Sequence, residues 1–348
     1  MQQAPSAPGL VFPHAQPPAP GVLIEVAPGI RWFRLPLPYR LDHVNVYLIE
    51  DDDGWAVLDT GLGTDACRTA WEAILSGPLS GQRLTSMIVT HFHPDHVGLA
   101  GWLADRFGLP LSMPRPEYLY SLALQYAPGD LGADMHRPFY RRHGLSPEVT
   151  EAVLSRGHEY LRQTTGVPTT YHRIQHGDSL CIGPRAFQVI TGGGHALEQA
   201  MLHRADEGLF LAADQVIARI SPNVSVHAME PDLDALGIYL RSLSGLRDAV
   251  AQDVLVLPGH GLPFYGLHQR IADLLEHHAQ RCIAIADACQ QQPLSVAQLV
   301  PHVFQRALDE HQTGFAFGEV LAHVNYMLGR DELVLETGAD EIDRYRAR

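Results

Sequence analysis

The sequence predicts an α/β protein in which two β-sheets pack together and helices cover their outer faces. Two observations predict this class. Short apolar runs of strand length alternate with longer segments of helical periodicity along most of the chain. Turn signals also join some of these runs into antiparallel hairpins. Chains that combine hairpins with helical connections commonly form layered sheets with helices outside.

The first predicted elements occupy the N-terminal third of the chain. The strand-like runs are GVLIEVA, HVNVYLIE and GWAVLDT, and the turn residues 51–54 join the last two into a hairpin. A helix is predicted over 64–76, because Gly77 and Pro78 end it. SMIVT is predicted to be a buried strand, and apolar positions within 97–107 form one face of the next helix.

Residues 113–175 change in character, and we interpret them as a helical insertion rich in tyrosine. Within it, Ser146 is placed to cap a helix whose first residue is Pro147. Beyond it, strands are predicted at AFQVITG, AMLHRA, GLFLAAD and DVLVLP, with a leucine-marked helix before the last of them. The chain from about residue 267 onward is predicted to be mainly helical.

Composition excludes several classes of function. The net charge of −14 argues against a general nucleic-acid binder, since phosphate contacts need clustered lysine and arginine. No apolar run approaches the length of a membrane span, and no secretory signal is visible. We therefore expect a cytoplasmic protein that acts on a small molecule, without a nucleic-acid or membrane partner. The sequence leaves its oligomeric state open.

The stretch THFHPDHVGLAG crowds His91, His93, Asp95 and His96 into six positions directly after a predicted strand. Two histidines that are two residues apart on an extended segment point the same way. Asp95 and His96 fall where the chain turns into a helix. Such a turn can divide the four groups between two metal ions a few ångströms apart.

Three further candidate ligands occur in similar local contexts. His195 follows the strand FQVIT, Asp214 ends the strand in FLAADQV, and His260 follows the strand in VLVLPGHG. Glycines accompany two of them and allow the backbone to approach closely. Because strand ends meet on one rim of a sheet, these side chains are predicted to join the first cluster.

With its HxHxDH motif and the later histidine, aspartate and histidine in this order, the chain resembles the metallo-β-lactamase superfamily of dinuclear metallohydrolases. The resemblance covers roughly residues 22–265 and is greatest to the glyoxalase II-like branch. It implies an αββα sandwich with the metal site on one sheet rim. It also implies a first metal bound by His91, His93 and His195, a second bound by Asp95, His96 and His260, and Asp214 as the bridge.

The same resemblance identifies Asp59, in VLDTG, as the aspartate that orients a ligand histidine. Asp95 could also orient the attacking hydroxide, so Asp95 and Asp59 are the predicted catalytic residues. The sequence departs from the family around His195, where it reads GGGHALEQ, and this departure weakens any inference about the substrate. Zinc suits the His/Asp set, and iron or manganese would also fit it.

The resemblance also divides the chain into regions. Residues 1–20, with six prolines, are predicted to be a disordered or extended arm. Residues 21–266 form the catalytic domain, which includes the insertion at 113–175, and 267–348 form the helical C-terminal region. Within that region FGEVLAHVNYMLGRDELVLE resembles the winged-helix-like end of some family members, with a hairpin after Gly329.

Candidate substrate contacts come from two places. The segment after Asp214 leaves the metal rim directly, and the tyrosines of the insertion could either line a pocket or fill a helical core. The candidates are Arg219, Ser221, Asn223, Tyr126 and Tyr140.

The expected reaction is hydrolysis of a carbonyl ester, foremost a thioester, by a hydroxide held between two divalent ions. The thioester is favoured because a thiolate leaves without a dedicated acid (thiol pKa about 8.5), and no obvious acid occurs in the motifs. Three alternatives stay open: a lactonase or other carboxylesterase, a nuclease or phosphodiesterase on the same fold, and a noncatalytic metal-binding protein.

Overall fold

The computed structural model describes residues 9–127, 133–154 and 159–348. These residues form two compact units. Unit 1 contains residues 9–127, 159–222 and 245–271, and unit 2 contains residues 133–154, 223–244 and 272–348. Unit 2 therefore combines most of the predicted C-terminal region with two segments that the sequence analysis assigned to the catalytic domain.

Unit 1 contains a seven-stranded sheet whose strands follow one another in chain order. They are β1 (Ile24–Ala27), β2 (Ile30–Pro36), β3 (His43–Asp51), β4 (Gly54–Leu58), β5 (Leu84–Ile88), β6 (Leu111–Pro114) and β7 (His172–Ile174). The first four strands pair antiparallel, and the pairs from β4 to β7 are parallel.

A second sheet of unit 1 has five strands in the order β12-β11-β10-β9-β8. They are β8 (Ser179–Ile182), β9 (Arg185–Gly192), β10 (Gln199–Arg204), β11 (Leu209–Ala213) and β12 (Leu255–Pro258). Only the pairing of β11 with β12 is parallel in this sheet. Mixed pairing of this kind is what hairpins together with helical connections produce.

The inner faces of the two sheets form one apolar core. Trp32 and Tyr47 of the first sheet belong to the same buried cluster as Phe187, Leu202 and Leu211 of the second. Burying each such side chain stabilises the fold by about 1.5–3 kcal/mol. The predicted α/β sandwich is therefore confirmed.

Helices cover the outer face of the seven-stranded sheet. In unit 1 they are α1 (Asp65–Ser76), α2 (Pro94–Val97), α3 (Ala100–Phe107), α4 (Arg115–Tyr126) and α7 (Glu159–Gln163). The α1 helix begins where the Thr64 side chain accepts a hydrogen bond from the Cys67 amide and ends before Gly77, as predicted. Its Trp71 ring packs edge-on against Phe33 of β2, with 4.9 Å between the ring centroids.

The remaining elements are mainly helical. They are α5 (Ala133–Arg142), α6 (Pro147–Leu154), α8 (Ala235–Ala249), α9 (Leu267–Gln291), α10 (Val296–Val303), α11 (Glu310–Gly329), β13 (Leu333–Thr337) and β14 (Asp343–Ala347). The predicted cap of α6 is confirmed, because Ser146 Oγ accepts a hydrogen bond from the Val149 amide at 3.3 Å. The hairpin predicted after Gly329 is the antiparallel pair of β13 and β14.

Two features of unit 1 differ from the sequence analysis. Strand β2 was not predicted, because its arginines obscure an otherwise apolar pattern. In the structure Arg31 lies over the Trp55 ring, and Arg34 donates to Asn45. The predicted helical insertion, 113–175, also extends too far, because its last residues include strand β7, which pairs with β6. Within the insertion, residues 128–132 and 155–158 lie outside the described residues.

The N-terminal arm is described from residue 9, and the prediction for residues 1–8 lies outside the described part. Val11 forms an antiparallel bridge with Tyr265, and the Phe12 ring packs against Phe264. This part of the arm is therefore extended along unit 1. Among the helices of the described residues, none is both long and apolar enough to cross a membrane.

Candidate functional site

The candidate site of unit 1 is built where strands of both sheets end. Asp59 follows β4, residues 90–96 follow β5, His195 lies in the turn from β9 to β10, Asp214 follows β11, and His260 lies just beyond β12. The short helix α2 starts at Pro94 and so places Asp95 and His96 in its single turn. Strand ends hold these side chains on a rigid frame, as a binding site requires.

All seven predicted ligands come together. Three sets of three have their ligand atoms within 4.8 Å of one another: His91, His93 and His195; His91, His96 and Asp214; and Asp95, His96 and His260. The first and third sets are the two that the family resemblance implied. The second set links them, because it shares one histidine with each.

Asp214 lies between the two outer sets. Its Oδ2 atom is 3.4 Å from Nε2 of His195, 3.4 Å from Nε2 of His96 and 3.2 Å from Nε2 of His260. The same carboxylate therefore reaches histidines of both sets, which is the position that a bridging ligand requires. Asp95 contacts the second set, with its Oδ2 at 3.3 Å from Nε2 of His260 and 3.8 Å from Nε2 of His96.

The residues fit a pair of cations on structural grounds. His91 Nε2, His96 Nε2 and Asp214 Oδ1 are buried and have no hydrogen-bond partner among the described residues. A buried polar atom left unpaired costs about 1–3 kcal/mol. Here the unpaired atoms converge within one cluster. Imidazole nitrogens and carboxylate oxygens in such a group suit divalent metal ions.

Asp59 holds His96 from behind. Its Oδ2 lies 2.8 Å from His96 Nδ1, and its Oδ1 accepts the Thr90 amide at 2.8 Å. The ring of His96 is thereby oriented with Nε2 toward the cluster. Asp59 has a φ of 63°, which is a left-handed backbone conformation. Apart from glycine, Asp and Asn are among the residues that adopt this conformation most often.

The electrostatics differ between the two sets. Burial and the neighbouring imidazoles hold the pKa values of His91 and His93 well below their usual range. Burial also acts to lower the pKa of His260, but the Asp214 and Asp95 carboxylates raise it to about 10. Without metal, His91 and His93 are neutral, whereas, against the effect of burial, the carboxylates of Asp214 and Asp95 raise the pKa values of His96 and His260 and so favour their charged forms. Neutral imidazole is the form that binds metal ions.

The loop that carries His260 is fixed by side chains of β2 and β3. The Asn45 side chain donates to the carbonyls of Pro258 and Gly261, and the Tyr47 hydroxyl donates to Pro258. His260 Nδ1 lies 2.7 Å from the His43 carbonyl, which sets the direction of its Nε2 atom. Sequence reasoning missed Asn45 because a single polar residue in an apolar strand gives no sign of its partner.

Sequence reasoning also missed two buried glutamine side chains beside Asp214, Gln199 and Gln215. The Oε1 atom of Gln199 accepts a hydrogen bond from the backbone N–H of Asp214 at 3.2 Å, and the Nε2 atom of Gln199 donates to Gln215 Oε1. Gln215 in turn donates to the Gly193 carbonyl at 3.3 Å. This chain connects the Asp214 turn to the glycine-rich loop of His195. The sequence signal for this network was the departure from the family pattern at GGGHALEQ, because that stretch ends with Gln199.

A buried acid, Glu117, is the third group that was missed. It lies in the first turn of α4 and accepts backbone hydrogen bonds from Phe92 and Glu198. Burial raises the pKa of Glu117 to about 7, although these two hydrogen bonds oppose that shift. An acidic residue in a first helical turn usually faces solvent, so its sequence context gives no warning of burial.

The five predicted substrate contacts lie in varied surroundings. Tyr126 is exposed at the end of α4, and the Tyr140 ring packs edge-on against Phe317 with centroids 5.3 Å apart. Arg219 lies over the Phe12 ring, Ser221 is buried, and Asn223 donates to Ser225 Oγ. None of these contacts tests substrate binding, so the five assignments stay predictions.

Comparison with protein families gives two matches along the chain. The model of the metallo-beta-lactamase superfamily matches residues 39–260, which include Asp59 and all seven clustered side chains. A model described as the metallo-beta-lactamase-like C-terminal domain matches residues 282–348. The first match spans more than half of the chain.

Individual relatives support the same grouping. A beta-lactamase domain protein from Burkholderia ambifaria is 41% identical, with a TM-score of 0.90 over 97% of this chain and 98% of that one. A metallo-beta-lactamase family protein from Thermus thermophilus is 28% identical, with a TM-score of 0.79 over 93% and 100% of the two chains. The probable metallo-hydrolase YqjP of Bacillus subtilis is 22% identical over 84% of this chain and 90% of that protein.

Proposed function

Because the chain belongs to the metallo-beta-lactamase superfamily and is similar to a probable metallo-hydrolase, we propose that it hydrolyses a carbonyl ester, foremost a thioester. One observation carries the proposal: seven buried or half-buried histidine and aspartate side chains converge into linked ligand sets. A glyoxalase II-like activity, as the resemblance in sequence suggested, is the form of this proposal that we favour.

In this proposal His91, His93 and His195 would hold one divalent ion, and Asp95, His96 and His260 would hold the second. Asp214, whose Oδ2 atom approaches histidines of both sets, would be the ligand that the two sets share. Zinc is the proposed metal, although iron or manganese suits the same donors. Two such ions supply Lewis acidity and lower the pKa of bound water toward neutrality.

The chain's own residues orient the reaction. Asp59 holds the His96 ring in one orientation through its 2.8 Å contact with Nδ1. The Asp95 side chain is 22% exposed, against 7% for Asp214, so it is the cluster carboxylate nearest to solvent. It can therefore accept a hydrogen bond from an attacking water and hold that water toward a substrate carbonyl.

The leaving group narrows the substrate class. An amine must be protonated as it leaves, whereas a thiolate is stable near neutral pH (thiol pKa about 8.5). The ligand motifs contain no acid set aside for this purpose. Thioesters therefore suit the site best, followed by lactones and other carboxylic esters. The net charge of −14 disfavours a polyanionic nucleic-acid substrate.

A substrate panel on zinc-reconstituted protein tests the proposal. We expect the highest kcat/KM on acyl thioesters, lower values on lactones and p-nitrophenyl esters, and the lowest on bis-p-nitrophenyl phosphate. Asp214→Asn is the matched control, because it keeps the shape of the bridge and removes its charge. A phosphodiester preferred by a wide margin, or turnover that is unchanged in Asp214→Asn, would overturn the proposal.

A further inference from the structure

The buried carboxylate of Glu117 lies against the backbone of both segments that carry the first ligand set. Its Oε2 accepts the amide of Phe92 at 2.9 Å, and Phe92 stands between His91 and His93. Its Oε1 accepts the amide of Glu198 at 2.5 Å, three residues after His195. The two oxygens of one side chain thus join two segments that are about a hundred residues apart in sequence.

The helix α4 also holds the first segment by a side-chain contact. The Phe92 ring packs edge-on against Tyr120, with 4.6 Å between the centroids. The segments themselves meet at the ligands, where His93 Nδ1 lies 3.1 Å from His195 Nε2. The spacing of these two rings therefore depends on the spacing of the backbones that Glu117 connects.

The two hydrogen bonds offset the cost of burying the Glu117 carboxylate. Glu117 is completely buried, and an ionised carboxylate is costly to bury unless its oxygens accept hydrogen bonds. Both oxygens of Glu117 do so. A glutamine could accept only one of these amides, because its NH₂ group would face the other N–H donor.

We propose that Glu117 is a positioning residue for the His91, His93 and His195 set, because its carboxylate sets the separation of the two segments that carry these histidines. The inference rests on the proposed metal-dependent function. It assigns to Glu117 a role in metal affinity at one set only. The Asp95, His96 and His260 set has separate supports, Asp59 behind His96 and the His43 carbonyl behind His260.

The central variant is Glu117→Gln. Loss of one of the two backbone hydrogen bonds should let the segments separate and weaken zinc binding at the first set about tenfold or more, as with other groups that orient ligands. Glu117→Asp provides a second variant. It keeps the charge, but its shorter side chain reaches only one of the two amides, so the same direction of change is expected.

Zinc alone is the probe, measured by competition with a chromophoric chelator after circular dichroism has verified folding. The variants are compared in two backgrounds: His260→Ala, which leaves the first set complete, and His93→Ala, which leaves the second. Glu72→Gln is the control, since Glu72 is an exposed glutamate paired with Arg106. We expect weaker zinc binding only in the His260→Ala background, and no change for Glu72→Gln in either.

The outcomes separate the two proposals. Equal weakening at both sets would show a general structural role and overturn the positioning role, as would unchanged affinity in both backgrounds. If the unsubstituted protein binds no zinc after reconstitution, the metal-dependent function itself fails and this inference fails with it. If it binds two zinc ions while Glu117→Gln and Glu117→Asp bind them equally tightly, only the role of Glu117 is lost.

Discussion

Asp59 combines a backbone role with a side-chain role at one residue. Its left-handed φ of 63° turns the chain sharply after β4. Its carboxylate then accepts hydrogen bonds from the amide and hydroxyl of Thr90 and lies 2.8 Å from His96 Nδ1. The Asp59 side chain therefore fixes both Thr90, which precedes the HxHxDH motif, and His96, a ligand within it.

Asp59→Asn separates these two roles. Asparagine tolerates the left-handed conformation, so we expect the fold to be kept. The neutral amide is a weaker acceptor for an imidazole N–H, so zinc affinity should fall about 10- to 100-fold. Chelator competition measures the affinity, and the unfolding temperature without metal is the control. A large drop in that temperature with intact zinc affinity would contradict the assigned role.

At the scale of elements, the α2–α3 junction is packed against the loop after β4. Gly98 has helical dihedrals, so its conformation does not require glycine. An added Cβ would nevertheless lie 2.3 Å from the Pro94 carbonyl oxygen and 2.6 Å from Gly61 O and Gly63 N. All three are backbone atoms, which cannot rotate away. The close approach keeps His96 beside Asp59.

Gly98→Ala should therefore destabilise unit 1 by about 1–3 kcal/mol, as overpacking usually does. Gly245→Ala is the matched control, because that glycine is exposed in α8 with nothing within 4 Å of an added Cβ. It should stabilise the protein by about 0.5–1 kcal/mol through helix propensity. Denaturant unfolding measures both changes. Equal effects of the two substitutions would contradict the packing argument.

At the scale of the whole molecule, every residue of the candidate cluster lies in unit 1. A metal that binds only the folded cluster should stabilise that unit by mass action. At a free zinc concentration 100 times the Kd, the stabilisation is about 2.7 kcal/mol per site. Unit 2 contributes none of the seven side chains.

We expect zinc to raise the unfolding temperature and chelation to lower it. Hydrogen exchange should locate the added protection at 59–61, 90–99, 193–199, 212–215 and 258–261, where the backbone carries the seven ligands and Asp59. The variant His91→Ala should show a smaller effect, because its first set is incomplete while Asp95, His96 and His260 remain. An equal zinc-dependent shift in that variant would mean that the metal acts elsewhere.

The cluster was predictable from sequence because its signals are local. The spacing of His91, His93, Asp95 and His96 is a strand-to-helix pattern, and His195 and His260 each follow a recognisable strand. The packing of two sheets with helices outside followed from the alternation of strands and helices together with the hairpins, and the resemblance to the family implied the αββα order of these layers. Sequence therefore identified the residues that converge, and the structure confirms that they do.

The supports of the cluster were not predictable, because they depend on contacts between distant segments. Glu117 resembles any acidic residue in a first helical turn until the fold buries it against Phe92 and Glu198. Strand β2 lacks a clear pattern because Arg31 and Arg34 interrupt a strand whose other residues are mostly buried. The division into two units likewise depends on long-range contacts that no local pattern records.

The wide spacing of the clustered side chains along the chain has a consequence for folding. His260 lies beyond β12, which pairs parallel with β11 only after the chain has passed through α8. Contacts between such distant segments form slowly, because loop closure must precede them. During synthesis, residues 91–96 leave the ribosome long before His260 exists. We therefore expect the metal to bind late, after the two sheets have assembled. In that case metal binding stabilises the folded unit and does not initiate its folding.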